Sequence, residues 1–366
     1  MLDLSTRHQS GLLDADAGRF SENARTSHLL KTPQIPACSA PCPLFRRFVV
    51  VPSDQLESRP LQVLVTGIGG YIGGLVAAEL QRRGHAVRGY ARRPQRVTLD
   101  VPVIAGDAVT GAGLDEALDG VDVAYFLIHS MEPAPDSVDG FGVRERSAAE
   151  QFVSAAQRAG VRRIVYLGGP EPTGATPSPH LASRLEVERV LLDGLPGSVA
   201  LRASIVIGAQ SRAFRFLVRL IERLPVLILP AWRDNRGMPV DERDVIAALV
   251  ACADDPGAAG MVLDAAGPDV VSYGRLITRI ADAMLVARPT VSTRRLSMTP
   301  IASRIAAIVA GEQPELIEPL MESLATDLLP SNELASEVLG IRLHSLDSAI
   351  EHALAEWEAD EPLAAR

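Results

Sequence analysis

From Leu61 onward the chain alternates short β-branched runs with amphipathic segments, and that alternation limits its fold more than any other feature. The runs at 62–66, 85–90, 101–105, 121–128, 163–167 and 198–207 predict strands, and the stretches at about 73–83, 111–119, 140–159 and 181–193 predict helices. Strands separated by single helices at this spacing build right-handed βαβ units and a parallel sheet covered on both faces. The expected class is α/β: a Rossmann-type doubly wound parallel sheet with a smaller, mostly helical substrate domain. After residue 207 the alternation loosens into helices at 212–223, 241–253 and 273–285 and a short strand at 261–263, and the stretch from about 300 to 358 reads as mostly helical. The expected organisation is a tail over 1–60, a nucleotide-binding domain over 61–207 with returning segments at about 241–269, a substrate domain from 208–240 and 270–358, and a short tail over 359–366. Residues 1–60 lack helical or strand periodicity and are expected to be disordered or to precede the true start of the chain.

The string Thr66-Gly-Ile-Gly-Gly-Tyr-Ile-Gly73 follows the first predicted strand and opens the first helix. Gly67 allows a tight turn, Gly70 a close approach of backbone to a pyrophosphate, and Gly73 close packing of helix on strand. The helix N-terminus then offers free N–H groups and a positive dipole end to phosphates, so the turn predicts dinucleotide binding. At the end of the second strand, where an NAD enzyme usually carries an acid for the ribose hydroxyls, no acid occurs between Glu79 and Asp100; Arg92 and Arg93 stand there instead. Arginine can fork onto a 2′-phosphate and stack on adenine, which favours NADP(H) over NAD(H). Asp107, after the third strand, is placed either to accept from the adenine amino group or to cap a turn.

Composition narrows the chemistry. Of 36 basic residues Lys31 is the sole lysine, so residues 32–366 supply no P-loop, Schiff-base or general-base lysine. A net charge of −9 argues against a nucleic-acid partner. Three cysteines, Cys38, Cys42 and Cys252, make no disulfide framework and fit a reducing cytosol, and no metal site is expected. No apolar run is long enough to span a membrane, and no secretory signal is evident. The expected location is cytoplasmic. Arg212, Arg215, Arg219 and Arg223 give the helix at 212–223 a basic face that is expected to be solvated, or else the helix rests on a membrane surface or covers an apolar substrate pocket.

The glycine turn and the Ala-Gly-Asp at 105–107, together with the strings YFLIHSM (125–131), AGVRRIVYLGG (159–169), SPHLASRLEVERVL (178–191) and PAWRDNRGMPVDERDV (230–245), resemble the extended and atypical short-chain dehydrogenases/reductases. Within that superfamily the chain is similar to the NAD-dependent epimerase/dehydratase or NmrA-like subgroup. The resemblance covers about 61–355. It implies that Gly67, Gly70 and Gly73 bind pyrophosphate, Arg92 the 2′-phosphate and Asp107 the adenine, while residues 127–130, including Leu127, Ile128 and His129, lie along the nicotinamide ribose. Thr66, Gly69, Tyr71, Ile72, Arg93 and Ala108 complete the expected cofactor site.

The chain departs from the superfamily where the superfamily does its chemistry. The usual Tyr with a Lys four residues on is missing: the residues four beyond Tyr71, Tyr90, Tyr125, Tyr166 and Tyr273 are Leu75, Pro94, His129, Pro170 and Ile277. Gly168 and Gly169 occupy the usual serine position. In the segment of the lost pair stand His180 and Arg184, at the same spacing and on one helical face. His180 could donate a proton, with Arg184 and His129 orienting the substrate; alternatively His180 caps the helix and Arg184 pairs with Glu186 or Glu188. Two functions follow as expectations. One is an NADPH-dependent oxidoreductase acting on a small apolar carbonyl or quinone-like substrate, and the other is a non-catalytic NADP(H)-binding redox sensor, assembly factor or accessory subunit.

Overall fold

The computed structural model describes residues 59–128, 140–229, 231–292, 324–361 and 363. β1 (Gln62–Thr66), β2 (Ala86–Ala91), β3 (Val103–Ala105), β4 (Val123–Phe126), β5 (Arg163–Gly168) and β6 (Val199–Ala203) join Val262–Ala265 and Glu333–Leu334 in one eight-stranded sheet. The order across it is Glu333–Leu334, Val262–Ala265, β6, β5, β4, β1, β2, β3, and every pairing is parallel. The direction of winding reverses between β1 and β4, and in open parallel sheets ligands bind in the crevice outside the carboxyl ends at such a point.

Side chains alternate between the two faces of the sheet with the two-residue period of a strand. Val63, Val65, Val123, Tyr125, Val165 and Leu201 pack into one buried cluster beneath α1 (Tyr71–Arg82) and α6 (Glu242–Ala251). Leu64, Ala124, Phe126, Ile164, Tyr166 and Ala200 pack into the other, beneath α2 (Leu114–Leu118), α3 (Gly140–Ala159) and α4 (Pro179–Gly194). A third core joins α5 (Arg212–Arg223), α7 (Tyr273–Ala283) and the helix Leu346–Asp360 through Phe214, Phe216, Ile280, Ile350 and Trp357.

Three departures from the expected elements have local causes. The strand expected over 198–207 ends at Ala203, where the Ser204 hydroxyl donates to the Met238 carbonyl at 2.9 Å; Val206–Ile207 then pairs with Val240–Asp241 instead of extending the main sheet. The helix expected from 111 begins only at Leu114 because Gly111 and Gly113 are left-handed, at φ +77° and +76°. Part of the C-terminal stretch read as helical is a sheet edge, Glu333–Leu334, held where Asp264 accepts the backbone N–H groups of Ser331 and Asn332 at 2.7 and 2.6 Å. Residues 300–323 of that stretch, and nearly all of the N-terminal tail, lie outside the described residues.

The basic face of α5 is solvated only at its ends: Arg212 and Arg223 are exposed, whereas Arg215 and Arg219 between them are half-buried against the C-terminal helix. The guanidinium groups of Arg215 and Arg219 lie 4.2 and 5.0 Å from the ring centre of Trp357, and both pair with Glu361. The arginines dock the C-terminal helix onto α5 through cation–π contacts, a use of charge that spacing alone does not reveal. Among the described residues, no helix is long and apolar enough to cross a membrane.

Candidate active site

The glycine turn owes its shape to what lies behind it. Gly67 is left-handed, at φ +68°, and a Cβ there would stand 2.5 Å from the Leu127 carbonyl oxygen at the end of β4. At Gly73, in the first turn of α1, a Cβ would come within 2.7 Å of the Gly67 carbonyl carbon. The inner side of the turn is therefore filled by backbone. Its outer side is open: Gly69 and Gly70 are exposed, and a Cβ on Gly69 would meet only Val97 at 3.7 Å. Gly70 is the N-cap of α1 without a capping side chain, so the first N–H groups of the helix face outward unclaimed by a cap. A bare, rigid backbone cradle at a helix N-terminus fits a pyrophosphate.

Thr66 serves this cradle from beneath. It is fully buried, its hydroxyl donating to the Tyr125 carbonyl at 2.9 Å and accepting the Leu127 N–H at 3.0 Å, so it locks β1 to β4. Leu127 is buried, Ile128 half-buried, and His129 lies outside the described residues. Arg92 and Arg93 are exposed immediately beyond β2, as a 2′-phosphate contact requires. Asp107 accepts the Val109 N–H on Oδ1 at 2.9 Å, which gives it the turn-capping role; Ala108 beside it is buried.

His180 and Arg184 do come together. The Arg184 Nε–H donates to His180 Nε2 at 3.0 Å, and Arg184 lies over Gly169, where a Cβ would meet Leu181 at 2.7 Å and the Arg184 stem at 3.4 Å. The position that carries a serine elsewhere is thus packed shut by α4. Ser178, not His180, caps α4. The glutamates offered as partners for Arg184 are engaged elsewhere, Glu186 with Arg146 and Glu188 with Arg202.

Burial first, and then the Arg184 charge, lower the His180 pKa from 6.5 to about 4. With Nε2 accepting from Arg184 and the pKa lowered, the imidazole favours its neutral form near pH 7. What the pair supplies is a cation held in place by a neutral acceptor. A stability effect follows. The unfolded chain protonates this histidine below pH 6.5 while the folded chain resists until about 4, so stability should fall as pH drops through that window. Denaturant midpoints at pH 7 and pH 4.5 should fall further for the native chain than for His180→Gln, and equal falls would contradict the assignment.

One contact went unforeseen. The Tyr71 hydroxyl, on the first residue of α1, donates to Glu242 on the first residue of α6, 171 positions away. Burial raises both groups above their usual ranges, the carboxyl of Glu242 and the phenol of Tyr71. Acids at a helix start are routinely explained by the dipole, so the sequence carried no signal that this one meets a tyrosine of the glycine turn.

Comparison with known proteins agrees with this geometry. Residues 67–193 match the NAD(P)H-binding family. Among curated relatives, a (4-alkanoyl-5-oxo-2,5-dihydrofuran-3-yl)methyl phosphate reductase of Streptomyces griseus is 27% identical over 71% of this chain and 85% of its own length. A 2-alkyl-3-oxoalkanoate reductase of Shewanella oneidensis is 23% identical over 62% and 67%. A 3-beta-hydroxysteroid dehydrogenase of Mycolicibacterium neoaurum is 29% identical, but the match covers only 29% of this chain and 31% of that enzyme. Among solved structures, a short-chain dehydrogenase/reductase superfamily protein from Agrobacterium tumefaciens with bound NAD superposes with a TM-score of 0.60, at 20% identity, over 81% of this chain and 98% of that one. Residues 67–193 thus form an NAD(P)H-binding domain, in a chain with the short-chain dehydrogenase/reductase fold.

Proposed function

We propose that the protein is an NADPH-dependent reductase of a small carbonyl compound carrying an alkyl chain. The observation that carries this reading is the bare glycine cradle at the N-terminus of α1, with two exposed arginines beyond β2 at the place of a 2′-phosphate. The relatives support it, since two of them are named as reductases of alkyl- or alkanoyl-bearing oxo compounds.

NADPH, when bound, supplies a hydride to the carbonyl carbon. The chain's own residues do the rest. Gly67 to Gly73 hold the pyrophosphate, and Arg92 and Arg93 bind the 2′-phosphate. At the carboxyl end of β5, Arg184, steadied by His180, stabilises negative charge growing on the carbonyl oxygen. The proton that completes the alcohol comes from water, because no Tyr-x-x-x-Lys pair exists in the chain and His180 Nε2 is taken up by the Arg184 Nε–H.

The cofactor assignment is tested with Arg92→Ala. Losing a charge-assisted contact to phosphate is expected to weaken NADPH binding roughly 10- to 100-fold and to leave NADH binding nearly unchanged. Equal losses in titrations with the two cofactors would overturn the 2′-phosphate role.

The missing catalytic pair favours a second reading, a protein that binds NADP(H) without turning it over, as a redox sensor, an assembly factor or an accessory subunit. Cofactor binding would then act by stabilising the fold.

A further inference from the structure

The expectation of no metal site rested on the cysteines, and the folded chain gathers a different donor set. Glu242, at the start of α6, meets His352 and Glu356 of the helix Leu346–Asp360, and one ligand atom from each lies within 4.8 Å of the other two. His352 and Glu356 stand one helical turn apart, with Nε2 3.4 Å from Oε1. Glu242 is almost entirely buried, whereas its two partners are partly exposed and free to adjust.

Charge balance is what makes this cluster unusual. A buried carboxylate is normally paired with a cation or bound to a metal. Among the described residues no arginine forms an ion pair with Glu242: the neighbouring Arg243 is held by Asp241 at 2.5 Å, and the Tyr71 hydroxyl is a neutral partner. Glu356, with a carboxylate oxygen within 4.8 Å, adds a second acid where a counter-charge is wanted. The backbone at Gly208 also closes on the spot, since a Cβ there would lie 2.6 Å from the Glu242 carboxyl carbon.

We propose that Glu242, His352 and Glu356 form a binding site for one divalent first-row transition ion, of the zinc or manganese kind. One imidazole and two carboxylates suit such an ion better than magnesium or calcium, which prefer oxygen throughout. Ligands each about 2.1 Å from zinc stand at most about 4.2 Å apart, so small rotations of the two exposed side chains close the set around an ion. The ion neutralises the buried charge and fastens the C-terminal helix to α6, and through Glu242 to Tyr71 in the glycine turn. The site is independent of the hydride-transfer reading.

The test uses the full chain, stripped with chelator and exchanged into metal-free buffer. Titration calorimetry with zinc, and electron paramagnetic resonance with manganese, should each report one ion bound per chain, and zinc should raise the melting temperature while magnesium does not. His352→Ala and Glu356→Gln, both at partly exposed positions, should fold normally and each weaken zinc binding roughly 100-fold. Binding that survives both variants would place the ion elsewhere, and an absence of saturable binding to the native chain would mean that the two glutamates share a proton instead; either result overturns the proposal.

Discussion

Replacing Gly73 with alanine is expected to destabilise the protein by roughly 3 kcal/mol, at the upper end of what overpacking costs, and to abolish the thermal shift produced by NADPH. The added methyl group would come within 2.7 Å of the Gly67 carbonyl carbon, and that carbon belongs to backbone already pressed against Leu127. Nothing there can rotate away. Relief requires α1 to lift from β1, which moves the helix N-terminus that receives the pyrophosphate. Gly70→Ala is the informative control: its Cβ would meet only the Gly67 oxygen, at 3.1 Å, so the fold should tolerate it while cofactor affinity falls. Chemical denaturation together with NADPH-dependent melting separates the two effects, and a Gly73→Ala protein as stable as the native chain would contradict the account of the turn.

The second large effect is expected at Arg202. Its guanidinium, at the end of β6, forms two hydrogen bonds to the buried Glu188 of α4, at 2.9 and 2.8 Å, and reaches Glu171 at 2.7 Å. Arg202→Met would leave Glu188 buried without its cation, at a cost of about 3 to 5 kcal/mol. Because Glu188 lies on the helix that carries His180 and Arg184, loosening it should also lower turnover. Adding Glu188→Leu should recover most of the stability, since an apolar pair often replaces a buried ion pair without loss. A double variant no more stable than Arg202→Met alone would show that the pair is not the source of the effect.

The sheet was largely legible because its strands announce themselves. β1 and α5 have the predicted bounds, and every predicted strand lies within a residue or two of its place, apart from the run at 198–207 that divides at Ser204. Glu333–Leu334 was not legible: a two-residue edge strand carries no periodicity and is fixed by Asp264, far away in the chain. The glycine turn was readable because its constraint is local, each glycine answering to backbone within a few residues or to the adjacent strand end. Arg215 and Arg219 of α5 were readable as part of a basic face but not in purpose, since Trp357 and Glu361 reach them only in the folded chain. The contact of His180 with Arg184 was anticipated by spacing, yet the lowering of the His180 pKa comes first from burial, which spacing does not report. The pairing of Tyr71 with Glu242 needed two helix starts to converge.

The central claim is that this cofactor domain performs chemistry without the Tyr-x-x-x-Lys pair. It is tested most directly by a single-turnover experiment on the NADPH-loaded protein, following the nicotinamide absorbance after mixing with a panel of 2-alkyl-3-oxoalkanoates, alkyl ketones and quinones. The account predicts that the absorbance decays with at least one alkyl-bearing oxo compound and that Arg184→Met slows the decay by roughly 100-fold or more, as loss of a group that stabilises an oxyanion does. An absorbance that stays constant across the panel, in a protein whose melting temperature NADPH still raises, would contradict it and leave the non-catalytic cofactor-binding reading in its place.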